Sequence, residues 1–345
     1  MNKFTITVAD IRRETSDSCT LCFKQPGLRK IKFLAGQYLT LIVRINGRKY
    51  ARPYSFSSAP SVDNFLEVTV KIVPDGIVSN YINNEIKVGD VMEVLEPMGD
   101  FTIDFSVSSK TIYLWGVGSG ITPLFSILKE VVHMQYHKDI HLIYGNKNQE
   151  TTIFKDQLSQ LKQEYSSVFS ITNFYSQIDS IELDETIHQG RISSAFIARL
   201  LVQNKNIKES LHYICGPKEL KDTIQSSLLE LEVPSSSIFV EEFQLVIGPK
   251  ELEDVENSTV TVYFQGEQSE IFVPKGKSIL DIALDNDIEI PYSCQTGNCN
   301  TCKAKLKEGQ LKMLGLTKER DDLAQDEFLL CCSYPLTNAI CVDVI

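Results

Sequence analysis

The stretch PYSCQTGNCNTCKAKLKEG, residues 291–309, contains three cysteines in the spacing C-x4-C-x2-C: Cys294, Cys299 and Cys302. A [2Fe–2S] cluster needs four thiolates, and closely spaced cysteines on one loop can supply three of them. Small residues between the cysteines let backbone N–H groups approach the sulfurs. A zinc site is the competing interpretation, but zinc sites favour C-x2-C pairs, which this loop fits poorly. The spacing therefore predicts a [2Fe–2S] cluster.

The fourth ligand must come from a pair of adjacent cysteines, Cys331 and Cys332. Counting residues from Cys302 slightly favours Cys332, although the intervening segment is of a kind that tolerates insertions. The region resembles a plant-type ferredoxin domain, whose last ligand lies in the pattern L-x-C-x3-P. Residues 329–335 fit that pattern with Cys331 as the ligand. We therefore assign Cys331, keep Cys332 as the alternative, and expect Cys341 to be a core residue.

Composition places this loop in an ordinary globular chain. The 345 residues are 43% hydrophobic and 23% charged, and no apolar run approaches the roughly 20 residues that span a bilayer. The net charge is -11, of which residues 258–345 carry -5 and residues 244–257 carry -3. This acidity argues against nucleic acid or an anionic membrane as a main partner and favours a basic docking surface. Nine cysteines, an odd number, do not suggest a disulfide framework, so we expect a soluble, cytoplasmic protein.

Secondary-structure patterns divide the chain into three domains and a connecting segment. Residues 1–105 show short period-2 runs between turn residues, which predict an antiparallel β-barrel. Residues 106–243 alternate short apolar runs with helical patterns, which predicts an α/β domain with a doubly wound parallel sheet. Residues 244–257 are polar and acidic and are predicted to be a linker. Residues 258–345 combine a hairpin, a helix, the cysteine loop and a β tail, and the ferredoxin resemblance implies an α+β domain of the β-grasp type.

The first domain contains a short motif with the chemistry of a flavin site. Residues 52–58, RPYSFSS, have the form R-x-Y-S-x-x-S and follow a β run. Arg52 can pair with a pyrophosphate, Tyr54 can stack on an isoalloxazine ring, and Ser55 can hydrogen-bond near its N5 atom. An ordinary strand end, with Tyr54 as a packing residue, is the alternative interpretation.

A second element of the same domain supports the flavin interpretation. Gly76 and Ser79 begin a predicted helix, and the free N–H groups of a helix N-terminus bind anions. The two elements together resemble the ferredoxin–NADP reductase family, in which R-x-Y-S binds flavin and G-x-x-S caps the pyrophosphate. The resemblance implies that Pro53 also contacts the flavin and that Phe243 is the aromatic residue facing it. The presence of both elements favours FAD, although some relatives with the Arg52 motif use FMN.

A glycine-rich loop opens the second domain. In LWGVGSGITPLFSIL, residues 114–128, Gly116, Gly118 and Gly120 lie between a predicted strand and a predicted helix. Glycines let the backbone approach a pyrophosphate, and Thr122 can cap the following helix. A tight strand-to-helix turn is the alternative, and the spacing is not the G-x-G-x-x-G of true Rossmann sites. The loop is, however, similar to the nicotinamide loop of the same reductase family.

Cys215, Gly216 and Pro217 close a later strand of the second domain. The tripeptide resembles the C-G-P of the reductase family, which lies near the nicotinamide ring. The resemblance implies cofactor contacts for Gly216 and Pro217 and a catalytic role for Cys215, alongside catalytic roles for Tyr54 and Ser55. Without the surrounding pattern, Cys215 would be interpreted as a small buried thiol.

Coenzyme preference depends on the end of the second strand of this domain. An acidic residue there would favour NAD by binding the ribose 2′-hydroxyl. The chain has Asn146 and Lys147 instead, which could face a 2′-phosphate, and Arg191 is a second candidate cation. Solvated surface charges are the alternative interpretation. We expect NAD(P)H as the coenzyme, assign Lys147 to its site and favour NADPH.

Flavin, nicotinamide and [2Fe–2S] modules in this order cover almost the whole chain. The resemblance is to reductase components of oxygenase systems, of the phenylacetyl-CoA epoxidase and phenol hydroxylase types. It implies electron flow from NAD(P)H to FAD, to the cluster and then to a partner protein, an oxygenase, hydroxylase or desaturase component. The sequence contains no second metal motif suited to oxygen activation, so we expect the oxidation on that partner. We also expect the chain to be a monomer.

Two other functions stay open. The acceptor could lie outside oxygenase systems, such as a hybrid-cluster protein or a desaturase, and the sequence does not separate these. The chain could also be a non-enzymatic iron–sulfur sensor or interaction protein whose reductase half is a relic. The intact motif at Arg52, Tyr54 and Ser55 and the intact loop at residues 116–123 argue against the sensor.

Overall fold

The computed structural model describes residues 2–27, 30–106, 111–135, 139–177, 186–316 and 318–345. These residues form two compact units. We call residues 2–41 with 54–241 the larger unit and residues 42–53 with 242–345 the smaller unit. Each unit has its own apolar core, and each contains part of the chemistry expected from the sequence.

The first sheet contains six strands in the described part of the chain, in the order β4-β3-β6-β1-β2-β5. Its strands and the helix near its end are β1 (Lys3–Thr15), β2 (Ser18–Lys24), β3 (Tyr38–Ile45), β4 (Arg48–Ser55), β5 (Leu66–Lys71), α1 (Ile77–Asn84) and β6 (Val91–Leu95). Strand β1 pairs antiparallel with β2 and β6, and β2 pairs antiparallel with β5. Just beyond β4, Phe56 pairs with Val68 of β5, so the two ends of the sheet meet. The predicted antiparallel barrel is confirmed as a curled sheet, or half-barrel.

The second sheet is parallel, and its described strands follow the order β10-β9-β8-β7-β11-β12. Its elements are β7 (Thr111–Val117), α2 (Ile121–Met134), β8 (Asp139–Asn146), α3 (Lys155–Glu164), β9 (Phe169–Tyr175), β10 (Ile187–Gln189), α4 (Ser194–Val202), β11 (Leu211–Cys215), α5 (Lys218–Glu230) and β12 (Ile238–Glu241). Alternate residues of a strand face opposite sides of a sheet. Leu114 therefore packs with the α2 and α3 side chains, while Trp115 packs with those of α4 and α5. Helices on both faces confirm the predicted doubly wound sheet.

The third domain lies entirely in the smaller unit. Its elements are β13 (Ser258–Phe264), β14 (Glu267–Val273), α6 (Ile279–Asp285), β15 (Lys303–Glu308), β16 (Leu311–Met313), β17 (Glu327–Leu329), β18 (Ser333–Pro335) and β19 (Ala339–Val344). The main sheet has the order β14-β13-β19-β15-β17, with β13 and β19 parallel and the other pairs antiparallel. Ser278 caps α6 by accepting a hydrogen bond of 3.1 Å from the Asp281 N–H. This arrangement confirms the predicted β-grasp domain, but Cys341, expected in the core, is only half-buried on β19.

The acidic segment 244–257 packs against this domain within the smaller unit. Ile247 and Leu252 contact a small apolar cluster that includes Leu314 and Tyr334. The Glu256 N–H donates to the Pro335 carbonyl at 2.9 Å. The charged side chains thus hid a set of apolar anchors, and these residues are held along the third domain. None of the helices in the described residues is long and apolar enough to cross a membrane.

His212 is a titratable side chain enclosed in the core of the parallel sheet. Its ring is fully buried and stacks on Tyr113 with a centroid distance of 4.9 Å. Trp115 Nε1 donates to His212 Nδ1 at 3.2 Å, and Ser210 Oγ lies 2.8 Å from Nε2. Burial lowers the pKa of His212 to about 3. The imidazole is therefore neutral, with Nε2 donating to Ser210.

We expect His212 to make the fold sensitive to acid. An unfolded histidine has a pKa of about 6.5, so below that pH only the unfolded chain takes up this proton. The free energy of unfolding should then fall towards pH 3 by up to about 1.4 kcal/mol per pH unit. The urea midpoint should drop less between pH 7 and pH 5 in His212→Gln than in the wild type. His133→Gln, at an exposed histidine, should behave as wild type; equal pH dependence in all three proteins would contradict the assignment.

Candidate electron-transfer sites

The predicted cluster ligands converge in the smaller unit. Cys294 is in hydrogen-bonding contact with Cys299 and Cys331, and Cys302 is in such contact with Cys331. Cys299 is half-buried, whereas the other three thiols are buried. The sulfurs therefore form two close pairs, Cys294 with Cys299 and Cys302 with Cys331. Two pairs are what a two-iron cluster requires, because each tetrahedral iron takes two cysteine sulfurs and two bridging sulfides.

Hydrogen-bond donors surround these sulfurs. The N–H groups of Thr296 and Cys299 each lie 3.4 Å from Cys294 Sγ, and Thr301 Oγ1 lies 3.3 Å from Cys299 Sγ. Hydrogen bonds from Cys299 and Cys331, with a contribution from the Thr296 N–H, lower the pKa of Cys294. Donors of this kind stabilise the negative charge of a cluster-bound thiolate.

Two left-handed residues fold the cysteine loop over its own sulfurs. Gln295 has φ 58° and Gly297 has φ 73°. A Cβ on Gly297 would also overlap Leu316 Cδ2, so only glycine fits at this point. No three histidine, cysteine or acidic side chains of the described residues are placed to hold a single metal ion. The four thiols and their N–H donors instead fit a [2Fe–2S] cluster, which spreads its ligands over two irons.

Cys331 and Cys332 have different surroundings although they are adjacent. The Cys331 thiol contacts Cys294 and Cys302. The Cys332 thiol is fully buried and donates to the Leu329 carbonyl at 3.4 Å. A Cβ built on Gly297 would lie 3.3 Å from Cys332 Sγ, so this thiol lies behind the loop. The geometry favours Cys331 as the fourth ligand.

The glycine-rich loop lies at the point where the strand order of the parallel sheet reverses. Strand β7 has β8 on one side and β11 on the other, so the connections leave the sheet in opposite directions there and open a crevice. A Cβ on Gly120 would overlap the Cys215 carbonyl, and a Cβ on Gly216 would lie 3.3 Å from Val117 Cβ. The backbones of the two loops are therefore in direct contact.

Several sequence-predicted residues meet in this crevice, all within the larger unit. Tyr144, fully buried, donates to the Gly118 carbonyl at 3.0 Å and holds the loop in place. The Cys215 thiol is buried at 1% exposure at the end of β11. The fold brings together the residues of both predicted motifs: Gly116, Gly118, Gly120, Thr122, Cys215, Gly216 and Pro217.

Thr122 does not have the role expected of it. Its hydroxyl donates back to the Ser119 carbonyl at 3.0 Å, and Gly120 is the N-cap residue of α2, with no side chain to cap it. The short helical turn at Gly118–Gly120 puts the Ser119 carbonyl within reach of the hydroxyl. The first N–H groups of α2 therefore lack a side-chain acceptor, and such groups suit a phosphate.

The predicted coenzyme-selecting residues lie at the carboxyl end of β8 and beyond. Lys147 and Arg191 are exposed. Asn146 is 8% exposed, and its Nδ2 atom is buried with no hydrogen-bond partner in the described part of the chain. A buried donor without an acceptor is costly. The amide at this edge of the sheet thus fits a ligand oxygen.

The flavin motif spans the end of β4. Arg52 and Pro53 are half-buried residues of the smaller unit, and Arg52 donates from Nη1 to the Ala51 carbonyl at 2.9 Å. Tyr54, half-buried, and Ser55, buried, belong to the larger unit. The strand assignment places Arg52–Ser55 inside β4, not after it as the sequence suggested.

Helix α1 and Phe243 carry the remaining flavin predictions. Ser79 accepts from the Val73 N–H at 3.1 Å and donates to the Gly76 carbonyl at 3.3 Å. Its hydroxyl therefore fixes the turn before α1, and the first N–H groups of the helix are the donors for an anion. Phe243 follows β12 in the smaller unit and is 45% exposed, as a residue that stacks on a ligand would be.

Polar residues of α2 tie the nicotinamide loop to the flavin domain, which the sequence analysis missed. Ser126 Oγ, fully buried, donates to the Ser58 carbonyl at 2.6 Å and accepts from the Gly36 N–H at 3.3 Å. One turn on, Lys129 pairs with Asp63 at 2.5 Å. Polar residues in an otherwise apolar helix were the available signal, because a core-facing helix has no other use for them.

Within the smaller unit, the β3–β4 hairpin contacts the third domain through charges. Arg48 pairs with Asp285 at 2.9 Å. Glu289 lies 3.6 Å from Arg44 and 3.5 Å from Lys49. The Ala51 N–H donates to the Tyr292 hydroxyl at 2.9 Å, two residues before the first cysteine of the loop. An acidic edge of the third domain is thus matched to a basic hairpin.

Comparison with known proteins decides what these domains are. Family models match residues 5–103 (oxidoreductase FAD-binding domain), 114–226 (oxidoreductase NAD-binding domain) and 262–336 (2Fe-2S iron-sulfur cluster binding domain). The 1,2-phenylacetyl-CoA epoxidase of Escherichia coli K12 has a component that is 31% identical over 98% of this chain and 96% of its own. The chain belongs to the ferredoxin–NADP reductase-like oxidoreductases with a C-terminal [2Fe–2S] domain. The cofactors of this reductase are FAD, NAD(P)H and a [2Fe–2S] cluster.

Other similar proteins agree with this family. The ferredoxin reductase component of 3-ketosteroid-9-alpha-monooxygenase from Rhodococcus rhodochrous is 29% identical over 98% of the reductase and 96% of its own chain. The solved structure of phthalate dioxygenase reductase has a TM-score of 0.69 at 23% identity, covering 99% of the reductase and 98% of that chain. The structural match supports the three-domain fold.

A pair of serine variants tests which adjacent cysteine binds the cluster. We expect Cys331→Ser to lose the cluster, because its thiol is the one in contact with Cys294 and Cys302. We expect Cys332→Ser to keep it. Iron content and visible absorbance of the purified reductase measure the outcome, and an unchanged flavin-to-protein ratio shows that each variant has folded. Cluster loss in Cys332→Ser alone would reverse the assignment.

Proposed function

We propose that the reductase takes electrons from NADPH and delivers them to an oxygenase or hydroxylase component. The observation that carries the proposal is the convergence of four cysteines in two close pairs, on the same chain as a nicotinamide crevice. The relatives that match over nearly the full chain are named as parts of an epoxidase and a monooxygenase. When bound, the flavin supplies two-electron chemistry with the nicotinamide and one-electron chemistry with the cluster.

Cys294, Cys299, Cys302 and Cys331 are the proposed cluster ligands. The paired contacts support one iron for Cys294 with Cys299 and the other for Cys302 with Cys331. The Thr296 and Cys299 N–H groups stabilise the thiolate of Cys294. Burial of three of the four sulfurs excludes water from most of the site.

The proposed flavin site uses one cation, one helix N-terminus and two aromatic residues. Arg52 neutralises the pyrophosphate, with Pro53 beside it, and the first N–H groups of α1 add donors where Gly76 and Ser79 shape the turn. Tyr54 and Phe243 hold the isoalloxazine by stacking, and Ser55 donates a hydrogen bond near N5. Tyr54 and Ser55 are the proposed catalytic residues on this side. The half-exposed ring of Phe243 supports its part.

The proposed nicotinamide site is the crevice at the ends of β7 and β11. Gly116, Gly118 and Gly120 let the coenzyme backbone approach the N-terminus of α2, and Gly216 and Pro217 form the opposite wall. Cys215 is the proposed catalytic residue near the nicotinamide ring. Lys147 is proposed to contact the 2′-phosphate of NADPH, supported by its position at the end of β8, where selectivity is commonly set.

A partner with a basic docking face fits the charge of the third domain. Residues 258–345 carry a net charge of -5. Asp285 and Glu289 already pair with the cations of the β3–β4 hairpin, so this acidic edge binds basic surfaces. Surface ion pairs contribute little stability each, which suits transient association. We also propose a monomer acting in the cytoplasm, supported by free cysteines throughout the described residues.

An anaerobic titration tests the proposed electron path. We expect stepwise NADPH to bleach the flavin absorbance and then produce a rhombic S = 1/2 signal in electron paramagnetic resonance. NADH should be less effective at equal concentration. Absence of a flavin band would favour the sensor interpretation. Flavin bleaching without a cluster signal would contradict the path through the third domain, and a more effective NADH would contradict the proposed coenzyme.

Replacement of Lys147 tests the coenzyme site. Removing one charge-assisted hydrogen bond to a phosphate should cost about 1.4 kcal/mol, which is tenfold in affinity. We therefore expect Lys147→Ala to raise the KM for NADPH about tenfold and to leave the KM for NADH nearly unchanged. Lys162→Ala, at an exposed lysine of α3, is the matched control. An equal effect on both coenzymes would remove Lys147 from the phosphate site.

A further inference from the structure

Arg320 lies between β16 and β17, outside every motif found in the sequence. Its guanidinium donates from Nη1 to the Gly297 carbonyl and from Nη2 to Asn300 Oδ1, and both acceptors belong to the cysteine loop. It also forms a two-point ion pair with Asp322, with Nε 2.7 Å from Oδ1 and Nη2 2.8 Å from Oδ2. The side chain is only 11% exposed.

Asn300 closes this arrangement into a ring. Its Nδ2 donates to Asp322 Oδ2 at 3.1 Å, so Arg320, Asn300 and Asp322 each contact the other two. The ring connects the loop between Cys294 and Cys302 to the segment that leads to Cys331. Three loop ligands and the fourth ligand are thus joined by polar contacts as well as by the backbone.

The contact at Gly297 lies where the loop is most constrained. Gly297 has φ 73°, and Leu316 covers the position that its Cβ would take. The peptide carbonyl of this residue therefore has a fixed direction, and Arg320 accepts that direction with a planar fork of donors. Lysine, with one flexible ammonium group, cannot reach the loop carbonyl, the amide and the carboxylate in the same geometry.

Arg320 also places a positive charge beside the thiols. Asp322 is the main cause of the raised pKa of Arg320, and the charges at Cys299 and Cys294 add to it. Reduction of a [2Fe–2S] cluster adds one negative charge, so a nearby cation favours the reduced state. Asp322 is about half exposed and offsets part of that charge.

We propose that Arg320 is a positioning residue for the cluster, which fixes the cysteine loop at Gly297 and Asn300 and raises the reduction potential through its charge. The proposal rests on the proposed ligand set. Hydrogen bonds and charges around the sulfurs are among the means by which proteins set cluster potentials. Arg320 provides both from one side chain, and Asp322 moderates the charge.

Redox titration of the purified, full-length reductase, followed by electron paramagnetic resonance, tests this role. We expect Arg320→Gln to lower the reduced-to-oxidised ratio of the cluster about tenfold at a fixed potential, which is about 59 mV for one electron. Asp322→Asn should shift the ratio in the opposite direction, because the cation is then not neutralised. Lys318→Gln removes a positive charge from an exposed site on the same segment and should leave the ratio unchanged.

The conservative variant separates positioning from charge. Arg320→Lys should keep a potential near that of the wild type but release iron to a chelator several-fold faster, because the fork is lost. Arg320→Gln that takes up no cluster, while Lys318→Gln is loaded and all variants keep their flavin, would also support positioning. Potential and iron release equal to those of Lys318→Gln would overturn the inference. A wild type without a cluster would instead refute the proposed ligand set.

Discussion

The burial of helix α2 is the constraint on which the reductase half depends. Every residue from Ile121 to Val132 is buried, although the helix includes Ser126, Lys129 and Glu130. Those three residues lie at i, i+3 and i+4 and therefore share one face. They bind Ser58, Asp63 and Ser61 of the flavin domain. Because the same helix starts at the nicotinamide loop, one rigid element fixes both the loop and the end of the flavin motif.

Backbone contact, more than side-chain chemistry, shapes the two nucleotide sites. Gly120 lies directly on the Cys215 carbonyl, and the hydroxyls of Thr122 and Ser79 bond to carbonyls in their own turns. Both hydroxyls had looked like candidates for caps or ligands. Their actual role is to hold a turn so that helix N–H groups stay available, which is an anion site made by the main chain.

The cluster loop follows the same physical logic with a different chemistry. Left-handed residues bend it, N–H groups approach its sulfurs, and a buried arginine ties it to a segment about 20 residues later in the chain. Each contact removes freedom from the four thiols before any metal binds. Because like-charged thiolates repel one another, a loop that had to gather them without such support would lose much of the binding free energy.

The sequence by itself determined the three domain types, the cysteine loop, the glycine loop and the flavin motif, because periodicity and fixed spacing are local properties of the chain. It also favoured Cys331 through a local pattern. Tertiary structure alone decided the roles of Ser126 and Arg320, whose partners lie 68 and about 20 residues away. It also placed Ile247 and Leu252, in a segment that looked like a free linker, against the third domain. Polar and apolar contacts of this kind depend on which surfaces meet after folding, and no local pattern contains that information.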